Sequence, residues 1–468
     1  MSSRRWSEAE IRVADGATVV RGESARVRLP RALRERAPGW HPLPVLWEEG
    51  RDAAAAPRPD AAAAPRPDAA AALRLDTVTP YRDFQVSPRA PARISGRWSR
   101  LWRHRVAAAC ALLARECPVD ALALSALLRV LVPRGFDVPV RGPVASSSSA
   151  DSFGAVTLSL PYDEVQLAAA LVHETRHQQL NALLVLVPLV RAVEGGARRL
   201  YFAPWRSDPR PAYGTLHGVF AFSGVARFWR THRGFVAGAE ARRADFEFAV
   251  LREQVREAVA ALLAGGELTP PGRLFVQEVE AVAEGWRKDE VAPGAARLAA
   301  HYGALRRVVW RARHREADGA QVRRCAAAWV AGRGAPALPS YRLRPRPGAL
   351  RTHVFGHVAR LYLAAPEDFA GCRSGAVAEG DVALAAECAA VAGDAEEAAR
   401  RYAQWAAGDP DDVEAWIGAA LAAPDRSAAA ELLLDRPEAV AAVRRAVADA
   451  GAGPPPPLEL AAWLGGSG

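Results

Sequence analysis

Residues 161–187 read PYDEVQLAAALVHETRHQQLNALLVLV, and the spacing of these side chains decides the fold. Apolar residues recur three and four apart over several turns, which predicts one long helix ending near Val187, where Pro188 kinks or stops it. Pro161 suits the first helical position, and Asp163 and Glu164 suit the positive end of the helix dipole. Inside this helix, Leu171-Val172-His173-Glu174-Thr175-Arg176-His177 is an HExxH sequence. Four residues make slightly more than one turn, so His173 and His177 leave the same face and can offer two imidazoles to one metal ion. Ala169, Ala170, Leu180 and Leu184 continue that face as an apolar stripe directed at the interior. There an imidazole needs a hydrogen bond or a metal, and the plainer reading, two hydrogen-bonded core histidines, stands beside the metal one.

Working outward, Ala155–Leu160 alternates like a short strand, and Arg141–Ser152 (RGPVASSSSADS) is a loop by composition. Upstream, Ile94–Val132 reads as helices. The unit AAAAPRPD repeats over residues 53–72, offers no large side chain to a core, and interrupts a domain without dividing it. The flanks near Trp40 to Trp47 and Leu73 through Pro80-Tyr81-Arg82 read as ordered. Downstream, a Gly-, Pro- and Arg-rich loop spans 194–214, helices are expected over Leu216–Arg230 and Ala239–Ala264, and Gly265-Gly266 stops the second. The last third is Ala-rich and helical. Within it, residues 393–416 resemble one degenerate tetratricopeptide-type helix pair. The expected fold is therefore mainly α: an N-terminal mixed region (1–145), a helical HExxH core with a few short strands (146–290) and an Ala-rich helical C-terminal domain (291–468).

Two histidines leave a metal shell incomplete. His217 is the favoured third ligand, because it opens the helix Leu216-His217-Gly218-Val219-Phe220 and Gly218 would let backbone approach a ligand. Further candidates are Glu240, Asp245, Glu247 and Glu253, while His232, beside Arg230 and Arg233, reads as solvated. Between the helices, Tyr201-Phe202-Ala203-Pro204-Trp205-Arg206-Ser207-Asp208-Pro209-Arg210-Pro211 holds three prolines and two arginines four apart. Arg206 and Arg210 could fork a carboxylate; alternatively one pairs with Asp208 and the other is solvated.

The chain has 468 residues, room for about three domains, and half are hydrophobic, which excludes a disordered or fibrous protein. Its 61 Lys plus Arg against 52 acids give +9, yet Lys288 is the sole lysine and the arginines are scattered through every segment. That is a whole-chain compositional bias and gives no reason to expect a nucleic-acid partner. Five cysteines, none in a CxxC pair, argue against a disulfide framework or zinc ribbon. The start MSSRRWSEAE has no apolar signal region, and Leu180–Val190 is too short to span a bilayer, so a cytoplasmic protein without membrane partners is expected.

Four segments, SSSSADSFGAV, LVHETRHQQLNALL, YFAPWRSDPRP and LHGVFAFSGVARFW, in this order and spacing, resemble the HExxH-motif peptide-modification family encoded beside ribosomally synthesised, post-translationally modified peptides. The resemblance is clearest over residues 146–262 and looser over LRLDTVTPYRDF and the C-terminal helices. It implies an iron(II)- and 2-oxoglutarate-dependent peptide β-hydroxylase, acting on a precursor peptide, often with a radical-SAM maturase or leader-binding protein. It further implies that His173, His177 and a third residue hold the iron and that Arg206 or Arg210 holds the distal carboxylate of 2-oxoglutarate. Glu174 separates this expectation from a zinc metallopeptidase, in which it would be the general base; in an oxygenase it would orient a group or ligate. A third possibility is a non-catalytic helical scaffold that recruits a peptide or partner enzyme.

Overall fold

A computed structural model describes residues 10–14, 17–21, 26–30, 42–48, 72–79, 94–134, 144–192, 198–348 and 350–466. Nearly all of the repeat at 53–72, together with Trp40 and Pro80-Tyr81-Arg82, lies outside them. Among the described residues, sixteen α-helices and a few short strands make the chain mainly helical, as the periodicity requires. Two compact units divide at Ala168/Ala169.

In the first unit, Val45–Glu48, Ala72–Leu75, Val130–Pro133, Ala155–Leu158 and Ser146–Ser147 form one mixed sheet in that spatial order. The three inner strands run parallel, so Ala72–Leu75 and Val130–Pro133 need a crossover, which the helices Gly96–Glu116 and Pro118–Leu127 supply. Leu73, Leu75, Leu131, Val156 and Leu158 of the strands are buried, as are Trp102 and Val106 of the first crossover helix. Ala155–Leu158 is the strand that alternation anticipates. Val130–Pro133, expected as helix, is a strand because it lies between two others and is buried at three of its four positions.

The HExxH helix runs Glu164–Leu186. Its start is set by Asp163, whose Oδ1 accepts the Gln166 amide at 2.7 Å, and not by Pro161, which stays outside. Two helices follow, Ala212–His232 and Gly238–Gly265; the second ends where Gly266 turns left-handed at φ 78°. The first begins at Ala212, so His217 sits in its second turn instead of opening it. From Pro270 onward the chain is helix after helix, with the hairpin Arg315–Ala317 and Tyr341–Leu343 as the interruption. Their shared core gathers Leu298, Tyr302, Phe355, Cys388, Tyr402 and Trp416. No helix among the described residues is long and apolar enough to cross a membrane.

Candidate metal centre

The i, i+4 spacing does what helix geometry demands: His173 Nε2 and His177 Nε2 stand 3.0 Å apart. Both rings are half-buried, while the neighbouring face with Leu171, Glu174, Thr175 and Gln178 is sealed in the core. Burial lowers the His173 pKa to about 4. Burial lowers that of His177 to about 3, helped by His173 and His217 and opposed by Glu174. Both imidazoles are therefore neutral at pH 7, which leaves lone pairs for a metal.

Glu174 is 1% exposed, and neither of its carboxylate oxygens has a hydrogen-bond partner. A buried carboxylate left this way is costly, so the position calls for a cation or donor that the surrounding polypeptide does not supply. His217 does come to the site, but on the far side of His177: its Nδ1 lies 3.4 Å from His177 Nδ1. One ring cannot give both nitrogens to a single ion, so in these rotamers the three histidines do not share one metal. The His217 pKa is lowered to about 4 by burial, and its Nε2 has no partner. Among the described residues no group of three or more His, Cys, Asp and Glu is already gathered as a metal site.

The other candidate ligands are engaged elsewhere. Glu247 pairs with Arg360, Asp245 with Arg233 at 3.1 Å, Glu240 with Arg243 at 3.4 Å, and Glu253 with Arg256 at 2.7 Å. His232, expected in solvent, is 2% exposed and stacked on Phe228.

Aromatic rings that the sequence did not single out fix the site. Phe222 meets His173 edge-on at 4.7 Å, and Trp205 stacks on Phe222 at 4.8 Å. A methyl group on Gly218 would fall inside the Trp205 indole. The close approach that Gly218 permits is thus to Trp205 and not to a ligand. Tyr213 lies 4.7 Å from the His217 ring.

The arginine loop is clamped from a distant helix, Pro293–His314. Arg306 Nε donates to Pro204 O at 2.7 Å, and the buried His314 meets Ser207 O through Nε2 at 2.6 Å. Because His314 Nδ1 accepts the Arg346 amide, Nε2 carries the proton. Arg210 pairs in a two-residue ribbon with Tyr201. The two guanidinium groups converge, but on Asp208: Arg206 Nε at 2.9 Å and Arg210 Nε at 3.2 Å take one carboxylate oxygen each. The pair thus forms a carboxylate fork, but one already holding Asp208 of its own chain, with neither arginine left solely to solvent.

Compared with known proteins, the chain matches no family model and no curated sequence.

Proposed function

We propose that the chain is an iron(II)- and 2-oxoglutarate-dependent enzyme that hydroxylates a side-chain β-carbon of a ribosomally made precursor peptide. The observation that carries the metal part is the His173–His177 pair, two neutral imidazoles converging through Nε2 beside the unpartnered carboxylate of Glu174. Two imidazoles suit a first-row divalent ion, with positions left for a further ligand, co-substrate and oxygen. The resemblance of the four quoted segments narrows that reading to an oxygenase and supplies the peptide.

Bound there, iron would supply the redox chemistry that couples oxidation of the co-acid to oxygen transfer. The chain's own part is to keep both imidazoles neutral by burial, to hold the His173 ring against Phe222 and Trp205, and to present Arg206 and Arg210 on a clamped loop. For either arginine to take the distal carboxylate of 2-oxoglutarate, it must let go of Asp208. That occupied fork is the one observation favouring a zinc peptidase, which needs no second anion and would use Glu174 as base.

The test incubates purified chain with iron(II), 2-oxoglutarate and a precursor peptide encoded beside it, read by mass spectrometry. Gain of one oxygen atom is expected; cleavage with zinc and no 2-oxoglutarate identifies the peptidase instead. In metal analysis His173→Ala and His177→Ala lose the ion, whereas His217→Ala, which removes a neighbour of His177 Nδ1 and not a ligand, weakens binding by about 10–100-fold without abolishing it. Equal loss in all three variants would show that the His177 ring turns over on metal binding.

A further inference from the structure

The hairpin Arg315–Ala317/Tyr341–Leu343 has no role in the chemistry above, yet its own chemistry is specific. Arg315 stands opposite Leu343, Glu316 opposite Arg342 and Ala317 opposite Tyr341, antiparallel. Bonds from Arg344 N to His314 O (2.7 Å) and from Asp318 N to Ser340 O (2.8 Å) set the phase. Residues 340, 342 and 344 turn their backbone groups toward the partner strand, so those of Tyr341 and Leu343 point to the opposite edge. No third strand takes up that edge among the described residues.

Side chains alternate as well. Leu343 packs on the core, and Tyr341 lies between Arg315 at 4.2 Å and Arg436 at 5.2 Å. Arg342 and Arg344 therefore stand on the outer face, 77% and 60% exposed, and Arg346 continues the run in the open. One acid opposes them: Glu316 is shared by Arg342 at 2.6 Å and Arg344 at 2.5 Å. A single carboxylate serving two guanidinium groups, with Arg346 beyond them, leaves the face positive.

Cations on every second residue of extended chain repeat at about 6.7 Å, which applies to Arg342 and to Arg344 just past the strand end at Leu343, with Arg346 following beyond it. That matches the carboxylates of an extended peptide with acids at alternate positions, and an edge with outward N–H and C=O groups is where such a peptide adds. We propose that the Tyr341–Leu343 edge docks an acidic peptide segment as an added strand, with Arg342, Arg344 and Arg346 pairing its carboxylates. The strand is tied to the metal region through the buried ring of His314, which accepts the Arg346 amide at 3.1 Å and holds Ser207 O of the arginine loop. Docking rests on the preceding functional reading only in making the segment part of the substrate; binding itself needs no metal, so either idea can fail alone.

The experiment titrates the full chain, metal-free, into fluorescein-labelled Glu-Val-Glu-Val-Glu-Val-Glu-Val and follows anisotropy. Saturable binding is expected, weakened roughly tenfold or more in the triple variant Arg342→Gln, Arg344→Gln, Arg346→Gln. On the unaltered protein, peptides N-methylated at the valines or at the glutamates keep their charge; one of the two must lose roughly tenfold, because only one edge pairs. Binding of both methylated peptides like the parent shows charge attraction without strand addition and overturns the proposal. So does equal or tighter binding of an oligothymidylate of matched charge, or no binding of the parent peptide.

Discussion

Gly218 has no side chain because the Trp205 indole occupies the space where one would be. Through Trp205 and Phe222 that contact reaches His173, so one methyl group is felt at the proposed metal ligand. Gly218→Ala is expected to cost about 1–3 kcal/mol by overpacking and to weaken metal binding several-fold. Adding Trp205→Leu, which vacates the space, recovers part of the stability; additive losses in the double-variant cycle would remove the contact from the account. The His173–His177 pairing was legible in the sequence because helix geometry alone fixes it. The fates of Arg206 and Arg210 were not, since they depend on which carboxylate the clamped loop presents. The clamps, Arg306 and His314, lie about a hundred residues downstream and carry no local signal.

Elements were legible where one period dominates. The HExxH helix, its two successors and the C-terminal helices follow the 3.6-residue pattern. Val130–Pro133 was not, because a short apolar run after Leu-rich helices has no period of its own and only its neighbours make it a strand. In the C-terminal helices, Ala395–Gly408 packs on Val413–Ala422 with Gly418 against the Tyr402 ring. On the preceding helix, Val382–Ala392, Glu387 is 3% exposed, and burial raises its pKa to about 8, opposed by Arg351 and aided by Glu414 and Asp381. Its folded pKa lies above the unfolded value of 4.5, so the folded chain holds the proton between them. That stability is present below pH 4.5 and is lost as pH rises through 8. Glu387→Gln keeps the neutral shape, so it should change stability little at acid pH but raise it in mildly alkaline buffer, by on the order of 4 kcal/mol, read as a higher melting temperature. A variant no more stable than the parent under alkaline conditions would mean that the carboxylate is solvated or paired.

Over the whole molecule, the charge of +9 is spread widely: many arginines are paired with acids, and the Arg342–Arg346 run is an exposed excess with a proposed partner. The two-unit division makes a sharper prediction about metal. His173, Glu174, His177 and His217 all lie in Ala169–Gly468, so an ion that binds the folded chain stabilises that unit. At a hundredfold excess over its dissociation constant the gain is about 2.7 kcal/mol, or roughly 5 °C for a unit of this length. Zinc or cobalt, which need no exclusion of air, can stand in for iron, since imidazole accepts all three. Hydrogen exchange should then slow in Glu164–Leu186 and Ala212–His232 on adding the metal and return to its starting rate with a chelator. His173→Ala should abolish the whole response while leaving the metal-free melting temperature within a few degrees, because removing a half-buried, neutral ring costs little in packing. A shift that persists in that variant would place the ion elsewhere, and with it the chemistry assigned to the HExxH helix.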